Sequence, residues 1–120
     1  MRARFVTDGG QNEWGATLWL PGAKEPLKAN GPYRTEDVAA GRCAQQAWRE
    51  GYATNLGVLA FQTQIAGGAV LHLSDCACVV KAIEDGSVKS EMLQDQAIEI
   101  WELTTKLGML LNVDCFYYCS

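Results

Sequence analysis

The sequence predicts an α/β domain built on a mixed sheet, and three observations carry that prediction. Residues 3–30 hold three short strand candidates separated by turn signals, an arrangement suited to antiparallel neighbours. Residues 70–86, VLHLSDCACVVKAIEDG, begin as an apolar strand run, stop at Ser74-Asp75, and then change to helical spacing at Val79, Val80 and Ile83. A long amphipathic helix over residues 90–108 is followed by the strand-like run MLLNVDCFYY. Five strands with helices packed on them follow, the first three strands antiparallel.

Residues 3–7, ARFVT, make the first strand and deliver Asp8 into the turn Asp8-Gly9-Gly10. In WGATLWL, Trp14, Ala16, Leu18 and Leu20 share one parity, so residues 14–20 form a half-buried strand returning against the first, and Pro21-Gly22 turns it. A weaker third strand runs from Pro26 to Asn30 before Gly31-Pro32 breaks it. Residues 34–42 fit either a helix starting at Thr35 or an irregular approach segment with a single turn. From Cys43 to Gln64 the spacing predicts a helix whose apolar stripe is Trp48, Tyr52, Leu56 and Leu59. The neighbouring stripe, Glu50, Ala53, Gly57 and Ala60, is small after its first member, which lets the helix lie close to a sheet. Strand 70–74 and a helix over residues 77–86 come next, with Gly86 as the stop. Ser90 caps a helix whose packing face is Leu93, Ala97, Ile100, Trp101, Thr104 and Leu107, ended by Gly108. Residues 109–118 form the last strand, with Asp114 either outward-facing or an extra acid near a site.

Composition bounds the function. Residues 1–120, 48% apolar, suffice for one domain with a real core, so a single domain is expected. The net charge is −4 and the ten basic residues are scattered, which argues against tight, sequence-independent binding of polyanions. Five cysteines (Cys43, Cys76, Cys78, Cys115, Cys119) and a lone histidine, His72, match no common zinc pattern. Reduced thiols inside a cell, in cytoplasm or nucleus, are therefore expected. The opening MRAR is followed by VTDGGQNEWG rather than an apolar stretch, so no signal peptide and no membrane partner are expected.

The candidate chemistry lies in the acids. Asp75 sits at a strand-to-helix junction, where α/β sheets collect ligands, although an Asp there is more often a helix cap. Asp8 repeats the arrangement of strand then acid, and a turn-forming role explains it equally well on local grounds. Glu50 projects from the start of a small-residue stripe, where the ordinary expectation is a solvated helical acid.

Three blocks carry a resemblance: VTDGGQNEWGATLWL, AWREGYA, and VLHLSDCACVVKAIEDGSVKSEMLQDQAIEIWELTTKLGMLL. In this order they resemble the ribonuclease H domain of retroelement reverse transcriptases, particularly the DIRS type. The first is similar to the family's opening strand, acid and W-G-A second strand; the second to its W-R-E-L-x-A helix start; the third to its strand-S/T-D, V-V-x-x-I and G-S-x-x-x-E-x-L run. The resemblance implies an RNase H-like mixed five-stranded sheet and places Asp8, Glu50 and Asp75 at the first three metal-binding carboxylates. It implies a Mg²⁺ (or Mn²⁺) two-metal site that hydrolyses the RNA strand of an RNA/DNA hybrid, with a reverse transcriptase domain as a possible neighbour. Such ions sit about 3.5–4 Å apart and need several converging hard oxygens.

The sequence departs from the pattern in three places. The family carries a further Asp on a C-terminal helix, which is missing from this sequence; the helix after Glu50 runs G-Y-A-T-N-L-G where the family has Leu and Val; and Cys76 replaces an Asn. A non-catalytic interaction module derived from a mobile element is the alternative these departures keep open. Glu36, in TEDVAA, competes with Glu50 as the site's glutamate. Reaching the site from Glu36 would need either a long helix through Gly41, Gly51 and Gly57, each costing about 1 kcal/mol relative to alanine, or a long extra loop, and the W-R-E resemblance also points to Glu50. Glu50 is therefore expected in the site and Glu36 exposed on the approach segment.

Overall fold

The structure is a computed structural model and describes residues 2–74 and 91–115. Its centre is β1 (Ala3–Gly9), in which Ala3, Phe5, Thr7 and Gly9 face the interior while Arg4 and Asp8 face out. This is the period-two alternation of a strand covered on one side. Antiparallel β2 (Glu13–Trp19) pairs with β1, setting Val6 opposite Thr17 and Asp8 opposite Gly15. The strand thus extends two residues past the sequence expectation: Asp8 and Gly9 are paired, and the turn is made by residues 10–12.

The third strand, β3 (Leu27–Pro32), also outruns its expected end. Gly31 and Pro32 pair with Trp14 and Glu13, which works because β3 is the sheet edge, where proline's missing N–H costs no ladder bond. Two parallel strands complete the sheet: β4 (Ala69–Ser74) beside β1, and β5 (Leu110–Cys115) beside β4. The strand order is β3-β2-β1-β4-β5. The helix expected over residues 77–86 lies outside the described residues.

Between β3 and β4 the chain forms α1 (Thr35–Ala39), a single 3₁₀ turn (Arg42–Ala44), α2 (Gln46–Ala60) and α3 (Gln62–Ile65). The ambiguity over residues 34–42 resolves into a short helix and a turn. The expected helix from Cys43 to Gln64 begins three residues later and breaks at Phe61, whose ring is buried edge-on to Phe5.

The face α2 presents to the sheet matches the expected stripes only in part. Trp48 and Tyr52 are buried and stacked, with ring centroids 4.8 Å apart, but Leu59 is 45% exposed and Leu56 half-buried. Of the small stripe, Glu50, Ala53 and Gly57 are buried while Ala60 is exposed, and Val58 is buried beside them. At Gly57 an added Cβ would lie 2.5 Å from the Phe5 ring and 2.9 Å from the Ala16 Cβ. The thin core face of this helix is what lets it close on β1 and β2, where buried Phe5 and Leu18 each contribute about 1.5–3 kcal/mol by leaving water.

The last described helix, α4 (Glu91–Leu107), lies against α2. Ala97 and Ile100 are buried as expected, whereas Trp101 is 39% exposed. Buried Gln96 takes part in the contact through Asn55, whose Nδ2 donates to Gln96 Oε1 at 2.7 Å and to the Gln96 carbonyl at 3.1 Å. Gly108, at φ 62°, ends the helix in the left-handed conformation that glycine adopts without strain.

Candidate active site at the carboxyl end of the central strands

The first turn of α2 and the end of β1 are built around one residue, Gly9, whose N–H and carbonyl are both engaged. The Gly9 N–H donates to Glu50 Oε1 at 3.0 Å, and Arg49 Nε donates to the Gly9 carbonyl at 3.0 Å. Arg49 also holds the Cys43 carbonyl at 2.8 Å, tying the 3₁₀ turn to the same point. Such an approach needs a residue without a side chain. A Cβ on Gly9 would lie 2.4 Å from the Arg49 carbonyl carbon and 2.6 Å from the Glu50 nitrogen. Glycine serves here as the space for a crossing backbone rather than as a turn-former.

Glu50 is only 1% exposed, against the ordinary expectation of a solvated helical acid. A carboxylate is buried at such a position only with hydrogen bonds or opposite charge to compensate, and the Gly9 amide supplies one such bond. Asp8, the residue before Gly9, is exposed. It stands at a shallow open depression with Gly15, Thr17, Lys28 and Asn30, and Gly15 opposite it leaves that side of the strand clear.

Tyr33 ties down the turn beyond these residues. Its hydroxyl donates to the Gly10 carbonyl at 2.6 Å, closing the β1–β2 turn. Burial above all raises its pKa, and the charges of Cys43, Glu50 and Asp8 push the same way against that of Arg49.

The segment leading to α2 is braced by a buried acid of another kind. Asp37 accepts from Arg34 Nε and from Arg42 at 2.8 Å each, and Arg34 lies 5.6 Å over the Tyr52 ring. Glu36, its neighbour, has a side chain 72% exposed, so Glu50 rather than Glu36 is the glutamate that reaches β1. A larger groove of about 840 Å³ opens between β3, α1 and α2 beside Trp14, Arg34 and Tyr52, but neither Asp8 nor Glu50 lines it.

Asp75 lies outside the described residues; it is the next residue in sequence after β4, which runs parallel to β1. Asp114 is in β5, its backbone paired with Leu73. Among the described residues no three His, Cys, Asp or Glu side chains gather closely enough to hold a metal ion. Cys43 is a free thiol. Gly9, Arg49 and Tyr33 were not singled out by sequence reasoning. The available signal was the Asp-Gly-Gly run, which reads more simply as a turn.

No protein-family model matches the sequence, and no curated protein matches it. Solved structures do. RNase H1 from the halophilic archaeon Halobacterium salinarum NRC-1 superposes with a TM-score of 0.73 at 13% identity, over 96% of this chain and 85% of that one. The fold is RNase H-like. LC11-RNase H1, solved in complex with an RNA/DNA hybrid, gives 0.64 at 16% identity over 96% and 86%. The Prototype Foamy Virus Protease-Reverse Transcriptase gives 0.62 at 11% identity, covering 94% of this chain and 15% of that much longer one. In this RNase H-like sheet, Asp8 and the Glu50 clamp lie at the carboxyl end of β1, the end where open α/β sheets place their ligands.

Proposed function

We propose that the chain is a divalent-metal-dependent endonuclease of ribonuclease H type, hydrolysing the RNA strand of RNA/DNA hybrids, and that it derives from a retroelement reverse transcriptase. The observation that carries this reading is the buried Glu50 carboxylate, fixed on the Gly9 amide beside Asp8 in an RNase H-like fold. Asp8, Glu50 and Asp75 are assigned as the carboxylates that would hold Mg²⁺ or Mn²⁺. The donor chemistry fits, because carboxylate oxygens suit hard divalent cations and the described pair needs neither thiol nor imidazole. When bound, such ions supply Lewis acidity at the phosphodiester and make water a nucleophile at neutral pH.

The protein's own residues then have separable tasks. The Gly9 amide sets the direction of the Glu50 carboxylate, Arg49 holds the Gly9 carbonyl, and exposed Asp8 meets the substrate side of the strand. The hybrid would be read by shape and 2′-hydroxyl contacts rather than by base sequence. The hybrid complex of a protein with the same fold supports that substrate, and the match within a protease-reverse transcriptase supports an adjoining reverse transcriptase domain. The chain would act inside the cell, in cytoplasm or nucleus; no described helix is long and apolar enough to cross a membrane.

The test is cleavage of a hybrid with labelled RNA, in Mg²⁺, in Mn²⁺ and in chelator, by wild type and Asp75→Asn. The proposal expects cuts confined to RNA within the hybrid and abolished in the folded variant. Equal cleavage by both proteins would overturn it, and hybrid binding without cleavage would favour the non-catalytic interaction module.

A further inference from the structure

On the α2-facing side of the sheet, one helical turn from Glu50, three buried polar side chains meet. His72 of β4, fully enclosed, places Nε2 2.8 Å from Thr7 Oγ1 of β1 and 3.5 Å from Thr54 Oγ1 of α2. The two threonine hydroxyls are 3.4 Å apart, and Thr54 Oγ1 donates to the Glu50 carbonyl at 3.0 Å. Thr7 precedes Asp8, Thr54 lies one helical turn after Glu50, and His72 lies three residues before Asp75. β1, which carries Asp8, α2, which carries Glu50, and β4, which ends one residue before Asp75 in sequence, therefore contribute one member each.

The proton directions can be worked out by accounting for donors. The Thr54 proton is committed to the Glu50 carbonyl, so Thr54 can only accept from Thr7. If Thr7 instead donated to Nε2, the neutral ring would carry its proton on Nδ1, which has no hydrogen-bond partner among the described residues. A buried N–H without an acceptor is rarer and costlier than a leftover lone pair. The ring is neutral, since burial holds its pKa at about 3.

We infer that His72 is the Nε2–H tautomer heading a donor chain, His72 to Thr7 to Thr54 to the Glu50 carbonyl, and that this chain ties β4, β1 and α2 together so that Asp8 and Glu50 are held as one site. The positioning role rests on the metal-nuclease reading above; the donor chain does not. His72, Thr7 and Thr54 touch neither metal nor substrate in this account. Outer groups that orient ligands commonly change metal affinity about 10–100-fold when removed. An apolar isostere at position 72 fills the space but leaves the Thr7 hydroxyl without its donor.

Because His72 is the one histidine in the sequence, ¹⁵N-histidine labelling gives a single ring to observe. Nitrogen shifts at neutral pH should show a protonated Nε2 and a bare Nδ1; the opposite tautomer, or an imidazolium, would overturn the donor chain. Mn²⁺ binding and hybrid cleavage are then measured for His72→Leu, Thr7→Val and His72→Gln, the last of which returns an N–H near the Nε2 position. The Leu and Val variants should bind Mn²⁺ about tenfold more weakly and lose kcat with little change in KM, while the Gln variant recovers most of both. A folded Leu variant with wild-type Mn²⁺ affinity, or a Gln variant no better than Leu, would overturn the positioning role alone. A wild type that binds no Mn²⁺ would overturn the nuclease reading and the positioning role together, leaving the nitrogen shifts to decide the chain.

Discussion

Replacing Gly9 by alanine puts a methyl group where the α2 backbone already runs. The new Cβ would stand 2.4 and 2.5 Å from the carbonyl carbon and oxygen of Arg49 and 2.6 Å from the nitrogen of Glu50, all main-chain atoms that cannot swing aside. Forcing such a contact costs roughly 1–3 kcal/mol through displacement of packed elements. Moving α2 away also breaks the Gly9–Glu50 bond, a hydrogen bond to a charged group worth about 1.5–3 kcal/mol. The expected loss is about 3–5 kcal/mol, a large part of the stability of a domain this size. With about 3–5 °C per kcal/mol for a chain of this length, Tm should fall by roughly 10–20 °C. Gly15→Ala is the matched control, because nothing lies within 4 Å of its added Cβ. That change should be neutral or stabilising by about 0.4–1 kcal/mol. Urea and thermal unfolding of the two variants measure the difference. A Gly9→Ala protein within about 1 kcal/mol of wild type, or a more damaging Gly15→Ala, would refute the close-approach argument.

Gly57→Ala should destabilise although alanine is the better helix former by about 1 kcal/mol, because its methyl meets the Phe5 ring. Phe5→Leu should cost less in that background than in wild type, and strict additivity in a denaturation cycle would count against the contact. Stability should also depend on His72 in acid: its folded pKa of about 3 lies below the ordinary 6.5, so the unfolded chain takes up the proton first. The contribution is complete above pH 6.5 and lost towards pH 3, with a slope of up to about 1.4 kcal/mol per pH unit. His72→Gln should flatten stability between pH 6 and 4 relative to wild type, and parallel curves would show that the ring is not buried neutral. Mg²⁺ or Mn²⁺ at millimolar concentration should raise Tm by binding the folded state, and no shift with either ion would mean that the acids do not converge.

Much of the fold was legible because period and punctuation agree. Alternation in WGATLWL, the apolar run ending at Ser74, and the amphipathic helix before Gly108 place β2, β4 and α4 closely. What the sequence hid was tertiary in origin. Leu59 looks like core and is exposed, and the close approach expected of the small stripe is realised at Gly57, against the Phe5 ring, but not at Ala60. Pro32 ends a strand only when its missing donor is needed, and at the β3 edge it is not. At the candidate site, the choice of Glu50 over Glu36 rested on helix length, glycine positions and the W-R-E resemblance; the structure hydrogen-bonds Glu50 to Gly9 of β1 and leaves Glu36 exposed. The burial of Glu50 was not foreseen, since no local pattern distinguishes a solvated helical acid from one held by a main-chain amide 41 residues away. His72 was read only as a lone histidine that completes no zinc pattern, and its threonine partners come from two other elements.

The central claim is that Asp8 and Glu50 belong to one divalent-cation site. Titration of the full chain with Mn²⁺, following the free ion by electron paramagnetic resonance, tests it most directly in wild type, Asp8→Asn and Glu50→Gln. Both substitutions keep shape and remove one negative charge from the proposed site, and each should weaken Mn²⁺ binding by at least about tenfold while circular dichroism stays unchanged. Saturable wild-type binding lost in both variants is the predicted result; binding of equal strength in wild type and Asp8→Asn would contradict the account.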